Sequence, residues 1–374
     1  VVLDSILRPL YDKSVAWRRY LLARTTAGLP VSHFRAEDVR RVLMVCTGLI
    51  GDTVMSLPAL AAARKLFPGA QTAVIATPVT AALVEMGAPP TRLLVTDASP
   101  LSLRAEQRLK VRELQRVVTN GKFDLAVILL GDDFAPMLTR SGIPHRVFVA
   151  ESPYARLATA TYGIGHPRTW GPQERLNAWR ALALSPPDER PSLHVPRATA
   201  DAGAKLLGNR PGRSCLVVHP FGRTPDQRWP LSLATRFMTL VERELGLASV
   251  VVGNPPSNAP VPGDDPRFRL AGRLTIEELA GVLYSARAVV STDSGPFHLA
   301  GALGRPGVGL FRASRPEHAR RYPSLAAVLA PSDPGCLKRC SWDRCRWTPC
   351  RQMSAVEPEV VVAAVRRQLA EFPA

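Results

Sequence analysis

The sequence predicts an α/β protein built from two doubly wound, parallel-sheet halves. Three observations point there. Short apolar runs alternate with longer stretches of helical spacing, the pattern of strands buried on both faces and covered by helices. The alternation pauses over a proline-rich stretch, 151–213, and then begins again. Each series also contains a strand, a glycine-bearing turn and a helix, and doubly wound sheets hold their ligands at such turns, outside the carboxyl ends of the strands.

The size suits that reading. At 374 residues, with 46% hydrophobic and 21% charged side chains, the chain has ample core for two domains and is too apolar for disorder. Its most apolar stretch, 72–84, is interrupted by Pro78 and falls short of the ~18 apolar residues of a spanning helix. Nothing at the start of the sequence reads as a signal peptide, so a cytoplasmic protein is expected. The formal net charge is +17, from 48 basic and 31 acidic residues. Only Lys13, Lys65, Lys110, Lys122, Lys205 and Lys338 are lysines; with 35 prolines, the arginine excess reads as the imprint of a GC-rich genome as much as of a polyanionic partner. Aromatic residues are 6% and do not interleave with basic ones, so nucleic acid is not the expected partner.

The elements follow in order. Residues 1–40 hold a basic amphipathic segment, Leu3–Arg24, with Trp17, Arg18, Arg19 and Tyr20. It is read first as a helix packed on the protein body. The alternative is a helix lying on the inner-membrane surface. Residues 41–185 form the first half: strands Val42–Cys46, Thr72–Thr77, Leu93–Thr96, Asp124–Leu130 and Arg146–Val149, with helices Thr53–Phe67, Thr80–Met86 and Leu103–Asn120 between them. Pro68-Gly69 supplies stop chemistry for the first helix. Prolines then punctuate the chain, with a helix at Gln173–Ala183 and a linker over 186–213. The second half, 214–356, has strands Cys215–His219, Ser249–Val252, Ala288–Ser291 and Gly307–Phe311, and helices Leu231–Leu245, Thr275–Ser285 and Pro296–Leu303. A last helix, Glu357–Glu371, lies in 357–374. Two such halves place the expected active site in a cleft between them.

Two turns carry candidate chemistry. Thr47-Gly48-Leu49-Ile50-Gly51-Asp52-Thr53 follows the first strand. Asp52 reads most simply as a helix cap; the alternative is a carboxylate held as a general base, with Thr47, Gly48 and Gly51 letting substrate approach the backbone. The second turn is Ser291-Thr292-Asp293-Ser294-Gly295-Pro296-Phe297-His298. Pro296 suits the first helical position and Ser294 or Gly295 the cap, which makes an anion site of the helix start, with His298 in the first turn. A well-capped helix with a packed histidine is the plainer alternative. Neither turn is Gly-x-Gly-x-x-Gly, so a dinucleotide dehydrogenase is disfavoured.

Longer stretches resemble a known family. RVLMVCTGLIGDTVMSLPALAAARKLFPGA resembles the N-terminal signature of glycosyltransferase family 9, the bacterial heptosyltransferases of lipopolysaccharide core assembly. LAGRLTIEELAGVLYSARAVVSTDSGPFHLAGALGRPGVGLF is similar to its donor-site signature, and RWPLSLATRF to its Trp-Pro element. The resemblance runs, with gaps, from about Arg41 to the last helix. It implies a GT-B fold of two Rossmann-like domains, the first for acceptor and the second for nucleotide sugar. It implies inverting, metal-independent transfer, typically from ADP-heptose, with Asp52 as base. Ser294 and Gly295 would receive the diphosphate, and Asp293, Pro296 and His298 would shape the donor pocket. The family usually has a lysine two residues before the Trp; Gln227 stands there, followed by Arg228, so Arg228 or Arg223 is the expected phosphate contact. The segment Gly253–Asn258 lacks the glutamate that often binds donor ribose. For the acceptor, a phosphorylated glycolipid or glycan, Arg64, Lys65, Asp132, Asp133 and Arg146 are candidates.

Cys336, Cys340, Cys345 and Cys350 form a cluster, Cys-x3-Cys-x4-Cys-x4-Cys. Four such thiols suit a structural zinc or iron, although the spacing is not a paired knuckle; two disulfides or four reduced thiols are the alternatives. No step of sugar transfer needs them. Cys46 and Cys215 read as small buried hydrophobes. Two other readings stay open beside the transferase: a nucleotide-sugar epimerase of the same architecture, and a non-catalytic protein that binds nucleotide sugar or an anionic polymer.

Overall fold

The computed structural model describes residues 33–164, 171–188, 190–208, 215–256, 261–312, 322–336 and 349–373. The basic segment Leu3–Arg24, together with Cys340 and Cys345, lies outside them. The chain divides into two compact units, 1–190 and 191–374.

The first unit is a six-stranded parallel sheet in the order β3-β2-β1-β4-β5-β6. Its strands are β1 (Arg41–Cys46), β2 (Gln71–Ala76), β3 (Arg92–Val95), β4 (Leu125–Leu130), β5 (His145–Val149) and β6 (Ala160–Tyr162). The helices are α1 (Ile50–Leu66), α2 (Ala81–Gly87), α3 (Ala105–Asn120), α4 (Ala135–Arg140) and α5 (Gly171–Arg180). Val42 to Cys46 are all buried, as a central strand covered on both faces requires. The order reverses between β1 and β4, which is the switch point where such sheets open a crevice. Register also slips there, since Val45 faces Ile128 but Cys46 faces Leu130. α1 packs on α5, pinned by Trp179, whose Nε1 donates to the Ala59 carbonyl at 2.9 Å.

The second unit is a five-stranded parallel sheet, β11-β10-β9-β7-β8. Its elements in chain order are α6 (Arg197–Leu206), β7 (Cys215–His219), α7 (Leu231–Leu245), β8 (Ala248–Val251), α8 (Ile276–Ser285), β9 (Ala288–Thr292), α9 (Gly295–Ala302), β10 (Gly307–Phe311), β11 (Leu325–Leu329), α10 (Arg351–Ser354) and α11 (Pro358–Glu371). Strands β7 and β9 pair with His219 opposite Ser291, and the switch point falls between them. Trp229 of the Trp-Pro element is buried in the core with Phe237, and its Nε1 donates to the Val356 carbonyl at 3.1 Å. That bond ties the start of α7 to the segment before α11. Thr275 and Glu278 close a capping box on α8.

Within the expected linker, α6 packs along α8 with glycine against glycine. A Cβ on Gly203 would stand 2.1 Å from the Gly281 carbonyl carbon, so the two backbones touch directly. Helix α6 is thus part of the second unit's wall. Among the described residues, no helix is long and apolar enough to cross a membrane.

Candidate functional site

In the first unit, the chain leaves β1 through Thr47 and Gly48. Thr47 N–H donates to the Leu130 carbonyl at 3.3 Å, which holds the turn against the end of β4. Gly48 is required by that closeness, since a Cβ there would lie 2.5 Å from Leu130 Cδ1 and 3.3 Å from Asp52 Cβ. Gly131, just after β4, has φ +92° and leaves no room for a side chain beside Thr47.

The cap of α1 is Leu49, which makes no side-chain cap bond. The simple capping reading of Asp52 is therefore replaced: Asp52 is the third helical residue and Gly51 the second, both half-buried. Among the described residues, no hydrogen bond or ion pair engages the Asp52 carboxylate; its backbone carbonyl accepts from Ser56 Oγ at 2.9 Å. The positive end of α1 attracts an anionic side chain at that position. Burial pushes the neighbouring Cys46 thiol up to about 11, so it stays a thiol. Tyr162 donates to the Ile128 carbonyl at 2.8 Å, and burial pushes its phenol up to about 12 against the opposite pull of Arg175 on α5.

The acceptor candidates separate cleanly. Asp132 follows β4 at the carboxyl edge, where its Oδ2 accepts from Ser152 Oγ at 2.8 Å, and Asp133 is beside it. Arg64 and Lys65 occupy the last turn of α1, about 20 Å along the helix from Asp52 at 1.5 Å per residue. Arg146 is 1% exposed at the opposite, amino end of its strand. Its guanidinium is spent on the carbonyls of Leu157 (2.7 Å), Ile143 (2.6 Å) and Pro144 (3.0 Å). These three basic residues are not placed with Asp52.

In the second unit, Asp293, Ser294, Gly295, Pro296 and His298 form the β9–α9 turn. Ser294 sits at the cap of α9, with Gly295 first and Pro296 second in the helix. The Ser294 side chain does not cap; its Oγ lies 3.0 Å from His219 Nδ1 and 3.0 Å from the Thr292 carbonyl. His298 is buried, with Nδ1 3.1 Å from the Tyr322 hydroxyl. Thr292 Oγ1 donates to the Phe221 carbonyl at 2.7 Å, joining this turn to the loop after β7.

That loop carries Arg228, half-buried, with Nε donating to the Gly222 carbonyl at 3.1 Å and Nη2 to the Arg223 carbonyl at 3.4 Å. Burial holds its pKa below the usual arginine value. Gln227 turns inward and accepts from Thr224 Oγ1 at 3.0 Å. Buried Asp226 pairs with Arg312, the residue after β10. Sequence reading missed His219 as a site residue and this ion pair. The available signal for His219 was a polar residue ending an apolar strand.

The cysteine cluster is described only at its two ends. Cys350, 2% exposed, packs in the second unit's core at the cap of α10, and Cys336 is half-buried. Among the described residues, no group of three or more His, Cys, Asp or Glu is placed to hold a metal.

Residues 197–342, from α6 through the β9–α9 turn and beyond, match the family model "Glycosyltransferase family 9 (heptosyltransferase)". The chain is a family 9-like glycosyltransferase. It is 29% identical to lipopolysaccharide heptosyltransferase 1 of Pseudomonas aeruginosa, over 80% of this chain and 86% of that one. In structure, this glycosyltransferase is similar to the family 9 glycosyl transferase of Veillonella parvula, with a TM-score of 0.75 at 18% identity over 91% of this chain and 100% of that one. It is also similar to the E. coli heptosyltransferase WaaC solved with ADP, with a TM-score of 0.66 at 17% identity over 88% and 99%. Both of its sheets are parallel throughout and doubly wound, as the GT-B fold requires.

Proposed function

We propose that the enzyme transfers heptose, or a related sugar, from ADP-heptose to a lipopolysaccharide core or similar glycan acceptor, inverting the anomeric carbon without a metal. The observation that carries this reading is the Asp52 carboxylate in the first helical turn after β1, which no hydrogen bond or ion pair engages among the described residues. A general base needs a free lone pair carried on a positioned element, and Asp52 offers one at the start of a helix. It takes the proton of the acceptor hydroxyl as that oxygen bonds to the anomeric carbon. The bond from that carbon to the donor's β-phosphate oxygen breaks on the opposite face, and ADP leaves with the electron pair. In the second unit, the start of α9 supplies backbone N–H groups and a positive dipole end for the departing diphosphate. Arg228 stands on the neighbouring loop to add charge, with a geometry different from a lysine's. The net charge of +17 suits a phosphorylated acceptor at an anionic membrane surface, and a cytoplasmic location fits an activated nucleotide donor.

Calorimetric titration with ADP, UDP, GDP and NAD tests the donor assignment, and preference for ADP is expected. Preference for UDP or GDP would keep the transferase reading and replace the donor. Product analysis without acceptor separates transfer from epimerisation, because an epimerase would convert the nucleotide sugar alone. A structural zinc or iron held by Cys336, Cys340, Cys345 and Cys350 is a separate proposal, carried by four thiols within fifteen residues. Elemental analysis of the purified chain tests it; a metal content near zero would remove it.

A further inference from the structure

Strand β7 ends on a buried histidine that the reaction outlined above does not use. His219 is 7% exposed, and two loops of the second unit meet on its ring. On one edge, Nδ1 lies 3.0 Å from Ser294 Oγ and 3.5 Å from Ser291 Oγ. On the other edge lies Gly253, with φ +91°, whose added Cβ would stand 2.2 Å from His219 Cδ2 and 2.4 Å from Nε2. Only glycine lets the loop after β8 rest on that imidazole.

Ser291 Oγ donates to the Thr292 carbonyl at 2.9 Å, and Ser294 Oγ lies 3.0 Å from that same carbonyl and 3.0 Å from His219 Nδ1, so both partners of the Ser294 hydroxyl lie on the side away from the helix start. Burial lowers the His219 pKa to about 4, so at neutral pH the ring is uncharged, and in its Nε2–H tautomer Nδ1 accepts from the Ser294 hydroxyl. The consequence appears at the helix start. A cap serine ordinarily accepts an N–H from the second or third helical residue. Here the second is Pro296, which has none, and the Phe297 N–H goes to the Ser294 carbonyl at 3.1 Å. With its hydroxyl drawn toward His219, Ser294 places no side-chain oxygen across the helix axis. Among the described residues, the N–H groups of Ser294 and Gly295 have no hydrogen-bond partner. A cap oxygen lying there would repel a phosphate; its withdrawal opens the position.

We infer that His219 is the positioning residue of the donor site: one edge of its imidazole holds the Ser294 hydroxyl off the start of α9, and the other fixes the height of the Gly253 loop. The two loops that would meet the diphosphate and the nucleoside thereby keep one spacing. This rests on the donor-site reading above.

The test is calorimetry of the full chain with ADP, UDP and GDP, using wild type, His219→Asn, His219→Leu, Ser294→Ala and the His219→Leu/Ser294→Ala pair, each checked by circular dichroism for folding. Asparagine places Oδ1 where Nδ1 stands; leucine fills space without an acceptor. His219→Leu should weaken binding of the preferred diphosphate about three- to tenfold, the scale of one neutral hydrogen bond, while His219→Asn stays within about threefold of wild type. The pair should bind more tightly than His219→Leu alone and approach wild type, because alanine at position 294 has no oxygen to return to the helix start. Should His219→Leu fail to fold, the Asn variant and Ser294→Ala carry the comparison: both within about threefold of wild type supports the assignment, and a larger loss in either overturns it. Wild-type affinity in His219→Leu, equal losses in Leu and Asn, or a pair no tighter than His219→Leu alone would also overturn it while sparing the donor reading. A wild type that binds no nucleoside diphosphate would overturn both.

Discussion

Replacing Gly203 by alanine adds one methyl group at the crossing of α6 and α8. The new carbon would stand 2.1 Å from the Gly281 carbonyl carbon, 2.2 Å from its oxygen and 2.6 Å from the Val282 nitrogen. Ordinary contact begins at 3.4 Å, so the helices must separate by roughly 1.3 Å. All three obstacles are backbone atoms, which cannot rotate aside. Overpacking of a close contact costs about 1–3 kcal/mol, and a rigid obstacle places this case at the upper end. Alanine recovers about 1 kcal/mol of helix propensity. The net expectation is a loss of about 2 kcal/mol. Urea unfolding by circular dichroism measures it, and hydrogen exchange should show the added opening in Arg197–Leu206 and Ile276–Ser285. The exposed Ala202→Gly, in the same helix, should lose only about 1 kcal/mol, through propensity alone. A Gly203→Ala protein as stable as wild type, or more so, would refute the glycine-on-glycine account of this wall.

Two further predictions follow from buried polar groups in the second unit. The His219 ring binds its proton near pH 4 in the fold, against 6.5 for a free imidazole, so between those values the unfolded chain holds more protons. The neutral ring's contribution is present above about pH 6.5 and fades as pH falls toward 4. Stability should drop by about 2 kcal/mol from pH 7.5 to 5 through this group, and the pH slope of urea midpoints should be shallower in His219→Asn; equal slopes would sink the assignment. Asp226→Asn leaves Arg312, largely buried, without its counter-charge and should cost about 3–5 kcal/mol in urea unfolding. A loss within experimental error would mean that solvent reaches the guanidinium.

Most of the sheet framework was legible because central strands are apolar throughout and their bounds end at clear turns. Cys215–His219, Leu231–Leu245 and Gly307–Phe311 coincide with the observed elements, and most other bounds differ by one to three residues. Helix α6 was hidden because Pro191, Pro196 and Pro211 frame it and Gly203 interrupts it, both ordinary linker signals; its stability comes from a partner glycine 78 positions away. Pro136 concealed α4 in the same way, although proline is tolerated in a first turn. Alanine-rich β11 lacks the β-branched run that marked its neighbours. The Asp52 turn and the β9–α9 turn were visible as local patterns. Which end of the sheet a side chain faces was not, which is why Arg64, Lys65 and Arg146 were grouped with the acceptor. Nor was the destination of the Ser294 hydroxyl, whose partner His219 lies 75 residues earlier.

The most direct test of the central claim is acceptor-dependent release of ADP from ADP-heptose, measured in wild type and in Asp52→Asn. Turnover is expected only when a glycan acceptor is present. In Asp52→Asn it should fall by about a hundred- to ten-thousand-fold, the scale of a lost general base, with nucleotide affinity kept. Equal turnover in the variant would remove Asp52 from the chemistry, and turnover indifferent to acceptor would contradict transfer itself.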